Sequence, residues 1–181
     1  MDFDKLVQRR QSVRGYTPQL VEKEKIEACL EAARLAPSAC NAQPWHFVVV
    51  TDAALKNAIA DATASRTLNM NHFTKQAPVH IVMVRESKNF NSSVGSVLKE
   101  KNYAMYDIGI AAAHLCLQAA DLGLGTCILG WFNEKKVREL IGVPRGKRID
   151  LIITLGYPTT NEVRPKVRKT TEEIVSYNSY K

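Results

Sequence analysis

The stretch Ala36-Pro37-Ser38-Ala39-Cys40-Asn41-Ala42-Gln43-Pro44-Trp45-His46-Phe47 constrains the folding of this chain more than any other. It packs small residues, two prolines and two carboxamides into a stiff turn between a helical run and an apolar strand. Upstream, a helix is expected over residues 22–35, with Ile26, Leu30 and Ala33 on one face. Glu22 and Glu24 in its first turn complement the helix dipole, and Pro37 ends it, because a proline disfavours helical geometry in the residue before it. Downstream, Trp45 to Val50 is rich in β-branched and aromatic residues and reads as a strand.

The same two periodicities run through the rest of the chain. Phe3, Leu6 and Val7 predict a short amphipathic helix over residues 3–9, and Asp52 is placed to cap a helix over 53–63. Pro78 precedes a strand at His80–Val84. Residues 86–100, with Asn89, Asn91, Ser92, Ser93 and Gly95, read as a polar loop or mobile lid. The run from 103 to 122 is apolar nearly all round, as a helix buried in a core or at a subunit interface would be. Gly123 and Gly125 stop it, and Thr126–Leu129 forms a third strand. Asn133 caps a short helix carrying Val137, Leu140 and Ile141, and Ile149–Gly156 is the last strand. Beyond Pro158 the chain is polar and basic to residue 169. The tail of about 158–181 carries Ile174, Val175 and Tyr177 and needs a surface, on the body or on a partner subunit. The whole, residues 1–181, reads as one α+β domain.

A chain of 181 residues with 45% hydrophobic content supports one substantial core. The polar start Met1-Asp2-Phe3-Asp4-Lys5 does not read as a signal peptide, and no apolar run approaches the ~20 residues of a membrane helix. The expectation is a soluble, cytoplasmic protein. Cys29, Cys40, Cys116 and Cys127 show neither Cys-x-x-Cys nor zinc-type spacing. Cys29 and Cys116 read as buried thiols, whereas Cys40, in the turn, is open to a reactive role. The net charge of +7 raises nucleic acid as a partner, but the basic residues are scattered and no aromatics are interleaved for base stacking. An anionic small-molecule cofactor accounts for part of the excess.

Three segments carry the candidate chemistry. In Arg10-x-Ser12-x-Arg14, two guanidiniums and a hydroxyl suit a phosphate; read alone, it is a solvated basic helix end. The turn from Pro37 to Trp45 offers backbone N–H groups and the carboxamides of Asn41 and Gln43, each with donor and acceptor; read alone, it is a structural loop. In Pro165-Lys166-Val167-Arg168-Lys169, alternation puts Lys166 and Arg168 on one side of an extended chain; read alone, it is a charged tail. Together they suit a phosphorylated flat heterocycle with N–H and C=O edges, such as a flavin.

These segments resemble those of the flavin-dependent nitroreductase family, in the family's order and over nearly the whole chain. They are Arg10-Gln11-Ser12-Val13-Arg14, Pro37-Ser38-x-x-Asn41-x-Gln43-Pro44-Trp45, Gly123-Leu124-Gly125-Thr126-Cys127 with Leu129-Gly130, Leu155-Gly156-Tyr157-Pro158, and Lys166-x-Arg168. The resemblance implies a nitroreductase-like α+β fold, with a central mixed, mainly antiparallel sheet flanked by helices, in an intertwined homodimer with FMN at the interface. It implies that Arg10, Lys166 and Arg168 surround the FMN phosphate with help from Ser12, and that Arg14 lies toward the pyrimidine edge. By the same resemblance Pro37, Ser38 and Ala39 would line the ring from the other subunit, and Asn41 and Gln43 would read polar groups nearby. Leu129 and Gly130 offer backbone near N5 and O4, although the family often carries an acidic or bulkier residue where Leu129 stands. Asn69 and Asn71 are both candidates for a further flavin contact.

The implied activity is an NAD(P)H-dependent FMN oxidoreductase working by ping-pong turnover, with NADH or NADPH as donor and a small-molecule acceptor such as a nitroaromatic or quinone. It calls for no protein nucleophile, metal, nucleic acid or membrane, and Arg14 is its electrostatic stabiliser. His46, His72, His80 and His114 lack metal spacing and read as structural or exposed, and Asp107 and Asp121 as helix caps or surface groups. The rival readings are a reductive dehalogenase or flavin-destroying relative on the same scaffold, a non-catalytic flavin- or nucleotide-binding module, and, on charge alone, a nucleic-acid-binding domain.

Overall fold

The computed structural model describes residues 2–65, 69–86 and 102–180; all but the first residue of the polar segment 86–100 lies outside them. Helix α1 (Phe3–Arg9) leads into an irregular segment, then α2 (Lys23–Arg34), β1 (Trp45–Val50), α3 (Ala53–Thr63), β2 (Val79–Arg85) and α4 (Tyr103–Asp121). These are followed by β3 (Gly125–Leu129), α5 (Glu134–Ile141), β4 (Arg148–Gly156) and the short α6 (Thr171–Ile174). The expected caps are present: Asp52 accepts from the Leu55 N–H and Asn133 from the Lys136 N–H.

The strands form an antiparallel sheet in the order β1-β2-β4-β3. Period-two alternation divides its side chains between two cores. Trp45, Phe47, Ile81, Met83, Ile153 and Leu155 face α2 and α4, whereas Val48, Val50, Val82, Val84 and Ile152 face α3 and α5. The central strand β2 is buried through six of its seven residues, which is why it reads as an unbroken apolar run. Between Met83 and Val84 the register slips, so that Leu151 and Ile149 face consecutive β2 residues and Asp150 is left over. That bulge turns Ile149 into the second core although it shares parity with Leu151 in the first.

The chain before α2 is sewn onto the sheet. Val13 N–H donates to the Thr126 carbonyl at 2.8 Å, and Ser12 pairs in parallel with Thr126 beside β3. The Thr17 N–H donates to the Tyr157 carbonyl and the Thr159 N–H to the Gly15 carbonyl. Tyr16, 4% exposed, anchors the crossing: its hydroxyl shares a 2.7 Å hydrogen bond with Thr154 Oγ1 and donates to the Val13 carbonyl. The approach at β3 is so close that a Cβ on Gly125 would sit 2.7 Å from the Val13 side chain, so glycine is required there by space.

His80 sits wholly inside β2. Its Nε2 donates to the Thr74 carbonyl at 3.0 Å, and among the described residues Nδ1 has no partner. Burial pushes its pKa down to about 4 from an ordinary 6.5. The unfolded chain therefore takes up a proton below about pH 6.5 that the native state refuses until about pH 4. Stability is complete above 6.5 and falls as the pH drops through that window, by roughly 3 kcal/mol in the limit. Urea unfolding at pH 7 and pH 5 should show this loss, and a His80→Gln variant should show a flatter pH dependence.

Candidate functional site

The N-terminal strand and the tail meet on the β3 side of the sheet. Lys166, half-buried in an otherwise exposed tail, donates through Nζ to the Arg10 carbonyl at 2.5 Å. Its pKa is held below the ordinary lysine value first by burial and then by the charges of Arg10, Arg168 and Arg164. Arg14 is close enough, with Arg10 and Arg164, to act on Cys127, the thiol of which bonds Ser12 and is pushed up chiefly by burial. The structure therefore brings Arg10, Ser12, Arg14, Lys166 and Arg168 together from two ends of the chain. It adds Arg164, whose guanidinium donates to Gln11 Oε1 and to the Ser12 carbonyl. The signal for Arg164 was present in the sequence, since Arg164, Lys166 and Arg168 alternate at period two.

Such a crowd of cations is unfavourable unless an anion shares it. Arginine forks and a lysine ammonium are the donors that match a phosphate, and the charges that act on Lys166, after burial, are those of Arg10, Arg168 and Arg164. The residues fit a dianionic phosphate group.

The turn after α2 is a separate assembly. Cys40, Asn41 and Gln43 all have left-handed backbone, with φ of 53°, 50° and 46°. Outside glycine this geometry is uncommon and costs of order 1 kcal/mol per residue, so the surroundings must enforce it. Ser38 Oγ accepts from the Gln43 N–H at 3.0 Å, the Asn41 N–H returns to the Ser38 carbonyl, and the Gln43 carboxamide donates to the Asn41 carbonyl. Asp107 of α4 completes the enforcement. It is no cap or surface group, as its sequence position suggested, but a carboxylate 4% exposed that accepts the Ala39 N–H at 3.1 Å. The apolar helix around it gives no hint that one carboxylate turns inward toward a loop 68 residues away.

These turn hydrogen bonds run to Asp107 and within the turn, and among the described residues none runs to the cations of the N-terminal strand or tail. Pro37, Asn41 and Gln43 are exposed and Ser38 and Ala39 half-buried. Leu129 is buried at the end of β3 and Gly130 exposed beyond it. Asn71, left-handed at φ 61°, donates to the Thr63 and Trp131 carbonyls at 3.1 and 3.4 Å, which ties the corner after Gly130 to the end of α3. Asn69 is also left-handed, and exposed. Cys29, Cys116 and Cys127 are buried free thiols, and Cys40 is an exposed one. Among the described residues no group of His, Cys, Asp or Glu is arranged to hold a metal.

The nitroreductase family model matches residues 7–157, and the chain belongs to the nitroreductase family. An oxygen-insensitive NADPH nitroreductase of Helicobacter pylori is 30% identical over 179 residues, spanning 84% of this chain and 85% of that protein. An FMN-dependent nitroreductase of Clostridium difficile superposes with a TM-score of 0.77 at 29% identity, over 97% of this chain and 98% of the other. An iodotyrosine deiodinase of Thermotoga neapolitana is 26% identical over 195 residues, 97% of each chain.

Replacing Asp107 should separate its two contributions. Asp107→Ala leaves the half-buried Ala39 N–H without its acceptor and should cost about 1–3 kcal/mol, whereas Asp107→Asn keeps an acceptor oxygen and should cost less. Urea denaturation of the two variants measures the difference, and equal losses would remove the hydrogen bond as the cause.

Proposed function

We propose that this protein reduces nitroaromatics, quinones or related small electron acceptors in ping-pong turnover, drawing electrons from NADH or NADPH. The single observation that carries this reading is the docking of the basic tail on the N-terminal strand, where Lys166 Nζ bonds the Arg10 carbonyl and Arg164 the Ser12 carbonyl, which gathers Arg10, Ser12, Arg164, Lys166 and Arg168 in one place. The protein is an NAD(P)H-dependent oxidoreductase with FMN as its cofactor, in keeping with its family and with the names of its relatives. Bound FMN supplies the hydride and electron chemistry that no amino-acid side chain provides.

The chain's own residues bind and orient. Arg10, Lys166 and Arg168 hold the phosphate, and Ser12 adds a hydroxyl. Arg14, exposed on the same strand, supplies positive charge at the pyrimidine edge, where negative charge develops on reduction. The rigid turn contributes Pro37, Ser38 and Ala39 against the ring from a second protomer, with Asn41 and Gln43 reading its polar edge. Leu129 and Gly130 present backbone near N5 and O4. No side chain is assigned as a catalytic acid or base.

A homodimer is part of this proposal. Val167, Tyr177 and Tyr180 are 90%, 82% and 101% exposed on the tail, and Met105 and Tyr106 on α4 are 55% and 61% exposed. Apolar surface of that extent marks an interaction site, and a second copy would cover it. No helix among the described residues is long and apolar enough to cross a membrane, and the proposed setting is the cytoplasm. The second reading, a reductive dehalogenase on the same scaffold, is favoured by the likeness to an iodotyrosine deiodinase.

Purified protein should be yellow, and anaerobic titration with NADH and NADPH should bleach it. Steady oxidation of the donor in the presence of menadione or a nitroaromatic excludes a non-catalytic flavin carrier, and halide release from a halotyrosine in place of these activities would favour the second reading. Arg14→Ala should lower the two-electron reduction potential of bound FMN by about 30 mV or more, equivalent to about 1.4 kcal/mol. An unchanged potential in spectroelectrochemical titration would remove Arg14 from its assigned role.

A further inference from the structure

We propose that Gln11 and Arg164 form a clamp that registers the tail against the N-terminal strand, and that the clamp closes fully only when a phosphate dianion sits among the cations it gathers. This rests on the FMN reading above and assigns positioning roles to two residues outside the flavin-contacting set.

The clamp is reciprocal. Gln11 Oε1 accepts from the Arg164 backbone N–H at 3.2 Å and from Arg164 Nε at 3.1 Å, while Gln11 Nε2 donates to the Glu162 carbonyl at 2.7 Å. Every polar atom of the carboxamide is thus spent on residues 162–164, and both of its ends are specified. Arg164 Nη2 reaches on to the Ser12 carbonyl, and Lys166 Nζ closes the next step onto the Arg10 carbonyl. Residue 10 is therefore bonded to 166, residue 11 to 164 and 162, and residue 12 to 164, so the two segments run antiparallel. That antiparallel register decides which tail residues arrive at the site: it delivers Lys166 and Arg168 beside Arg10, and a slip would carry them past it.

The electrostatics oppose this register. Tail residues 159–180 are exposed apart from half-buried Lys166, so little apolar burial holds them, and the charges acting on Lys166 are all cations. The hydrogen bonds to the tail lie at the surface, where each contributes on the order of 1 kcal/mol. A modest set of neutral contacts therefore works against mutual repulsion among Arg10, Arg164, Lys166 and Arg168. A phosphate placed there turns the repulsion into charge-assisted hydrogen bonds. Phosphate occupancy and tail docking are consequently coupled, and each strengthens the other by the same factor.

Hydrogen–deuterium exchange and flavin titration on full-length apoprotein test this together. Wild type, Gln11→Ala, Arg164→Ala and the charge-preserving Arg164→Lys are each measured alone and with FMN, riboflavin or inorganic phosphate, against chloride at matched ionic strength. Protected amides in β2 and β4 certify that each variant is folded. In wild type, FMN should slow exchange in residues 160–169 about tenfold and riboflavin should not. Gln11→Ala and Arg164→Ala should weaken FMN about tenfold and riboflavin by less than about twofold, with Arg164→Lys in between. Equal loss of FMN and riboflavin means a general role in folding and overturns the clamp, as does tail exchange indifferent to bound FMN. If wild type takes up neither flavin, the FMN reading fails by itself and inorganic phosphate decides. Protection of 160–169 by phosphate in wild type but not in the variants sustains the clamp, and its absence in wild type refutes it.

Discussion

The hydrogen bond from Val13 to the Thr126 carbonyl is the seam on which the site depends. It lays an irregular N-terminal strand along β3, and only a glycine at position 125 leaves room for the Val13 side chain. Tyr16 fixes the far end of that strand by binding both Val13 and Thr154 from a buried position. With the strand immobilised, Arg10, Ser12 and Arg14 occupy fixed places at the sheet edge, and Gln11 presents a template for the tail. Two regions separated by more than 150 positions thereby become one electropositive surface. A solvated chain end would spread such charges apart, and the sheet prevents it.

A second constraint operates in the turn that follows α2. Three departures into left-handed backbone within four residues are tolerable only in a turn closed by several independent bonds. Ser38 closes it from within and Asp107 from α4. Helix α4 thus has two duties. One face fills the first core with Ile108, Ala111, Leu115 and Ala119, and its N-terminal half positions the turn while leaving Met105, Tyr106 and Ile110 uncovered. Helix α4, apolar nearly all round, is thus buried on one side and bare on the other.

Much of this was legible without coordinates, for local reasons. Asp52 and Asn133 announce the starts of α3 and α5, because an N-cap works on N–H groups two or three residues ahead. The alternation along β1, β2 and β4 announces which residues share a face, and the glycines after α4 mark its end. Pro37, the Arg10–Arg14 run and Lys166-x-Arg168 could be picked out from residue type and spacing. The misses were equally physical. Asp107 reads as a surface residue because nothing adjacent in sequence reveals that the turn's Ala39 N–H lies above it. Gln11 reads as filler between charges, and Arg164 as one more charge in a basic tail, until their mutual bonds are seen.

The amino-acid order by itself determined the helices, the strands, their caps and the presence of cation-rich segments, since each follows from interactions within a few residues. It also carried the family membership, through motifs spread from Arg10 to Arg168. Only the tertiary structure decided that Lys166 is crowded by three arginines, that Asp107 turns inward, and that the bulge at Asp150 sends Ile149 to the second core. Those outcomes depend on contacts between distant segments, whose free energies are set by burial and mutual charge once the sheet has brought them together.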